Sequence, residues 1–178
     1  MTRAVAFNLV TVCAMLAACG DPVRDDKVSA LGGEVAGVPR GELHRGGQPC
    51  VLCHSEGSEA PPFAMAGTVY RDVNSRVPVA GISVAVVDSS KTTYRAVTNC
   101  AGNFFMRADQ ISLQFPVWIS LRASPPDGMI VRDMDSPIYR EGSCAGCHSD
   151  PIGSASAGHV YAIDDPQVDI LPSHARCP

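Results

Sequence analysis

The 178 residues predict a mainly β protein, a sandwich of short strands flanked by short irregular or helical segments. Three observations carry that expectation. Apolar residues recur at every second position in Ile82, Val84, Val86 and again in Val117, Ile119, Leu121, the period of a strand with one buried face. Sixteen glycines and fourteen prolines favour many turns over long helices. Clusters of turn-forming residues at 72–75, 88–91, 100–103 and 125–128 divide the apolar runs at strand-length intervals.

Taken in order, the strand candidates are 66–71, 81–88, 93–99, 103–107, 116–123 and 129–134. Ser83, Ala85 and Val87 fill the alternate positions of the second; Trp118, Ser120 and Arg122 fill those of the fifth. Residues 63–135 therefore form the domain. On either side, residues 49–62 and 136–178 carry little apolar periodicity but most of the distinctive chemistry. Residues 19–48 are rich in Gly, Pro and charge, and are expected to be a flexible tether with a root-mean-square reach of about 30 Å.

Charge excludes some partners. The formal net charge is −4, and only 18% of residues are charged. No basic stripe or aromatic run suits nucleic acid. Residues 1–18 read as a targeting segment, with Arg3 as a short positive region and an apolar stretch from Ala4 to Ala18. That stretch is too short to span a bilayer comfortably.

It ends in Leu16-Ala17-Ala18-Cys19, which resembles the lipobox of bacterial lipoproteins. The resemblance implies cleavage before Cys19 and acylation of that residue, an anchor firmer than a single chain would give. The alternative is an ordinary cleavable signal with a chance cysteine. Cys19 is followed by Gly20 and Asp21 rather than directly by Asp. That order leans towards an outer-membrane lipoprotein facing the periplasm or the cell surface.

Two copies of one signature dominate the flanks. Cys50-Val51-Leu52-Cys53-His54 and Cys144-Ala145-Gly146-Cys147-His148 are both CxxCH, the attachment sequence of c-type haem. Two thiols at that spacing meet the two vinyl groups of one porphyrin, and the adjacent imidazole ligates the iron. The expected cofactor is haem c, two per chain, bound by Cys50, Cys53, Cys144 and Cys147 with His54 and His148 on the metal. Zinc knuckles use similar CxxC spacing, and plain disulfides are a further alternative. Redox-active CxxC pairs need a thioredoxin-like βαβ context that these strands do not supply.

A sixth ligand for each iron is sought elsewhere. His44 and His159 lie six and eleven residues from their nearest motif and are the first candidates. His174 follows, then Met65, Met106, Met129 and Met134. A lone His in a loop is more often exposed, and a Met in a strand is more often core. Beyond Cys13, Cys19 and the two motifs, only Cys100 and Cys177 remain, the number one disulfide requires. That bond would stabilise the fold by about 4 kcal/mol in the chain-entropy model. Two unrelated thiols are the alternative.

The middle of the chain carries a second resemblance. Gly67-Thr68-Val69, Pro78-Val79-Ala80-Gly81-Ile82-Ser83-Val84 and Thr98-Asn99-Cys100-Ala101-Gly102-Asn103-Phe104 resemble the carboxypeptidase regulatory-like domain. This implies a transthyretin-like (prealbumin-like) β-sandwich of about seven strands, a non-catalytic spacer or binding module. Gly81 would permit a tight lead into its strand, Gly102 a turn at positive φ, and Phe104 would fill the core. Cys100 departs from the small polar residue usual in that loop.

Together these features predict an exported, lipid-anchored dihaem cytochrome that transfers electrons to an unknown redox partner protein. It is not expected to be an enzyme: no Ser/His/Asp or paired-carboxylate arrangement favours hydrolysis, and a haem peroxidase with one open iron is a further alternative. The alternative is a cell-envelope binding or adhesion lipoprotein whose CxxCH cysteines form disulfides or a zinc site.

Overall fold

Among the described residues six strands form, five of them where the alternating runs and turn clusters place them. In the computed structural model, residues 21–124 and 129–163 are described. The signal segment with Cys13 and Cys19, the 125–128 turn, His174 and Cys177 lie outside them. The chain divides into two units, residues 1–32 and residues 33–178.

In the first unit, helix α1 (Pro22–Ala30) falls within the expected tether. Asp21 caps it by accepting the Arg24 N–H at 3.0 Å, and Pro22 stands where a missing N–H costs nothing. None of its residues is buried.

In the second unit, strands β1 (Phe63–Thr68), β2 (Ser83–Val87), β3 (Thr93–Val97), β4 (Asn103–Arg107), β5 (Trp118–Ala123) and β6 (Ile130–Asp133) build two antiparallel sheets. One pairs β1 with β4, and the other runs β3-β2-β5-β6. Alternation decides which side chains enter the core. Val84 and Val86 of β2, Ile119 and Leu121 of β5, and Met65, Phe104 and Met106 of the small sheet are all buried in one cluster. Phe104 is 2% exposed, a burial that contributes about 2–3 kcal/mol.

The strands lie within the expected segments, with two informative shifts. β1 begins earlier, at Phe63, and its register slips between Phe63 and Met65. The following residues leave the ladder, and Tyr70 makes isolated bridges to Pro78 and Tyr161. β5 starts at Trp118, beyond Pro116, which has no N–H to give a ladder. Gly81 and Gly102 adopt φ of 78° and 69° as expected. At Gly102 a Cβ would lie 2.5 Å from the Val69 carbonyl oxygen, so the turn needs glycine there.

The expected tether does not stay loose up to Gln48. Asn99 Nδ2 donates to the Glu42 carbonyl at 2.7 Å, and Asn103 Nδ2 donates to the His44 carbonyl at 3.0 Å. Gly47 N–H donates to Thr68 Oγ1 at 2.8 Å, and that hydroxyl donates to Asn103 Oδ1 at 2.7 Å. Residues 42–47 are thus fastened across β1 and β4 by buried and half-buried polar groups. A loop rich in Gly exposes main-chain carbonyls, and two asparagine amides satisfy them.

Candidate functional site

Both CxxCH motifs fold into one helical turn. Cys50–Cys53 is the short helix α2, and Cys144–Gly146 is a 3-10 turn whose next residue, Cys147, stays in right-handed helical geometry. His54 N–H donates to the Cys50 carbonyl at 2.9 Å, and His148 N–H donates to the Cys144 carbonyl at 2.8 Å. A turn of this kind brings residues i, i+3 and i+4 to one side. Two thiols and an imidazole are therefore gathered at each motif.

Each imidazole is oriented by a loop that returns to it. His54 Nδ1–H donates to the Pro61 carbonyl at 2.8 Å, and His148 Nδ1–H donates to the Gly158 carbonyl at 2.7 Å. An Nδ1 proton held by a carbonyl leaves the Nε2 lone pair for a metal, the tautomer that a ligating histidine needs. The first loop is pinned by Ser58, whose hydroxyl donates to the Ser55 carbonyl at 2.7 Å. The second closes through Ala157 N–H to the Cys147 carbonyl at 2.9 Å and Ser149 N–H to Ser156 Oγ at 3.1 Å. Gly158, at φ 80°, is packed so that a Cβ would lie 2.6 Å from Val73.

The two motifs share a mount. Phe63 N–H donates to the His54 carbonyl at 2.9 Å, and Ala66 N–H donates to the Gly142 carbonyl at 2.8 Å. Those two attachment points are three residues apart on β1, about 10 Å along a strand. Their surroundings differ. His54 stacks on Phe63 with ring centroids 4.0 Å apart, and Phe63 stacks on Phe105 at 4.9 Å. Cys144 instead belongs to the hydrophobic core, where it closes on Gly67 and Phe104.

None of the four motif cysteines is in a disulfide. Burial pushes the Cys50 thiol up to about 11 and the Cys144 thiol up to about 12. Both are neutral near pH 7. Burial also lowers the His54 pKa, against the bond to Pro61, which favours the protonated form. A neutral imidazole is the ligating form.

Beside the second motif lies a cavity of about 340 Å³. Cys144, Cys147 and His148 line it together with apolar Phe104, Ile119 and Leu121. Two further lining groups, Ser143 Oγ and His159 Nε2, are buried polar atoms without a hydrogen bond. Apolar walls, two thiols, an imidazole and unsatisfied polar atoms match what a porphyrin with a polar edge requires. The residues present fit haem c.

The candidate sixth ligands are distributed unevenly. The His44 and His54 ring centroids are 5.9 Å apart. His159 is 2% exposed, its Nδ1–H donates to the Ser75 carbonyl at 2.7 Å, and its ring stacks on Tyr70 at 4.2 Å. Its Nε2 lies 3.4 Å from Asp150 Oδ1 without hydrogen-bond alignment. Met65 and Met106 are core residues, Met129 is exposed, and Met134 lines the cavity. Among the described residues no group of three or more His, Cys, Asp and Glu could hold a metal ion by itself.

Cys100 is disulfide-bonded, and its expected partner Cys177 lies outside the described residues. Cys19, the expected lipidation site, also lies outside them. Among the described residues no helix is long and apolar enough to cross a membrane.

Sequence reasoning did not find the carbonyls of Pro61, Gly158 and Gly142, or the amides of Asn99 and Asn103. Main-chain groups leave no side-chain signature. Only the positive-φ glycine at 158 could have hinted at one of them. Comparison with known proteins matched no family model, no curated protein and no solved structure.

Proposed function

We propose that this chain is an exported, lipid-anchored dihaem c-type cytochrome that moves single electrons in the cell envelope. One observation carries the reading: both CxxCH motifs make a helical turn and hold the following imidazole by an Nδ1–H bond to a loop carbonyl. That shared arrangement supports a shared cofactor. A zinc knuckle would take all its ligands from the protein, whereas a porphyrin needs from each motif only two thiols and an imidazole.

Cys50 and Cys53 would hold one haem, and Cys144 and Cys147 the other, by thioethers. When bound, the iron supplies a one-electron redox centre. His54 and His148 would ligate through Nε2, and the Pro61 and Gly158 carbonyls, by taking the Nδ1 proton, would keep that nitrogen unprotonated and aimed. The stack of Phe63 and Phe105 shields the first site from water, and the core around Cys144 shields the second. Mounts about 10 Å apart on β1 favour direct electron exchange between the two centres. The sandwich, which we read as transthyretin-like, acts as a rigid spacer. Cys19 would carry the acyl chains, anchoring the protein to the outer membrane within reach of a redox partner.

Intact mass of the protein made with the haem-attachment machinery tests this directly. The expected product carries two porphyrins that survive denaturation, plus lipid. A product weighing only polypeptide and lipid would leave an anchored binding module, and bound zinc would point to knuckles.

A further inference from the structure

We propose that His44 is the second axial ligand of the iron attached at the first motif, opposite His54. This assignment deepens the function proposed above and rests on it. Two imidazoles sharing one metal through Nε2, with metal–nitrogen bonds of about 2.0 Å, place those nitrogens about 4 Å apart and the ring centroids about 6 Å apart. The centroids of His44 and His54 are 5.9 Å apart, with planes at 38°. No hydrogen bond joins the two rings, and their spacing is wider than a stacked contact such as the 4.0 Å of His54 on Phe63.

The segment bearing His44 is held in place. The His44 carbonyl accepts from Asn103 Nδ2 at 3.0 Å, and the Glu42 carbonyl accepts from Asn99 at 2.7 Å and Asn103 at 3.2 Å. Three residues on, Gly47 N–H donates to Thr68 Oγ1 in β1. The loop is anchored on both sides of the imidazole, to the same pair of strands that mounts the first motif. A distal ligand requires such fixing, because a mobile imidazole would lose the iron to water. His44 Nδ1 now accepts the Gly41 N–H at 3.3 Å. That contact is exposed, so water replaces it when the ring presents Nε2 to the metal.

His159 has a different role. It directly follows Gly158, whose carbonyl accepts from His148 Nδ1 at 2.7 Å. With its own Nδ1–H on Ser75 and its ring on Tyr70, His159 is a positioning residue for the carbonyl that orients His148.

Carbon monoxide binding to the reduced holoprotein separates these roles, because only an iron with a vacant or displaceable sixth position takes it up. With two haems confirmed by mass, His44→Ala should bind one more carbon monoxide per chain than the wild type. It should also convert one ferric haem from low to high spin, and added imidazole should reverse that conversion. His44→Met, which restores a ligand of another kind, should return the count to the wild-type value and raise the potential of one haem only. His159→Ala should leave the count unchanged. If His44→Ala carries two haems with the wild-type count and spin state, the assignment falls while the cytochrome reading stands. If the wild type carries no haem, mass reports that the cytochrome reading itself has failed.

Discussion

The two CxxCH motifs share a signature and a mount, yet one rests on an aromatic stack and the other is built into the core. At the first, Cys50 is half-buried and His54 lies on Phe63. At the second, Cys144 is 8% exposed and packs with Phe104 and Met65. The difference teaches that five residues specify a local turn and a tautomer, but not the surroundings of their own side chains. Environment comes from the strand each motif meets. Two copies of one signature therefore sit in unequal surroundings, and the second is coupled to the packing of the core.

That comparison can be broken at the point where the second motif meets the sheet. A Cβ at Gly142 would lie 2.0 Å from the Ala64 carbonyl oxygen, and backbone cannot yield that much. Gly142→Ala should cost about 3 kcal/mol or more in a urea melt. Wild-type stability in that variant would show that the motif is not docked on β1.

A smaller effect sharpens the contrast between the cysteines. In the haem-free protein Cys144→Ala should cost about 1 kcal/mol, because it removes a buried sulfur from the core. Cys50→Ala should cost about half as much, since that side chain is only partly buried. Equal melting shifts would refute the asymmetry.

Thiol chemistry gives a third comparison. Cys147 is exposed, while Cys144 is buried with its thiol pushed up to about 12. A thiol with a raised pKa stays protonated below that value, and the thiolate is the reactive form. Alkylation of the haem-free protein at pH 8 should label Cys147 at least about 100-fold faster than Cys144. Comparable rates, read by peptide mass, would count against the core placement. The smallest effect belongs to the loop after the second motif. No atom lies within 4 Å of a Cβ at Gly153, so Gly153→Ala should change stability by less than about 0.5 kcal/mol.

Much of the scaffold was legible because alternation is a local property. Ile82 to Val86 and Val117 to Leu121 announce their buried faces within a few residues, and the glycines at 81 and 102 announce the turns. The thiols and imidazoles were legible from spacing alone. What holds them was not. The Gly158 and Pro61 carbonyls act through atoms that every residue possesses, so no residue type marks them. The docking of 42–47 depends on Asn99 and Asn103, more than fifty residues away, and neither partner looks unusual in its own stretch. Long-range satisfaction of main-chain groups is invisible to a reading that moves along the chain.

The burial of Cys144 also orders events in time. A side chain packed against Gly67 and neutral as a thiol reacts slowly once the sandwich has closed. For the cytochrome proposed above, attachment at that site would then come before folding, and a chain that folded first would be slow to complete.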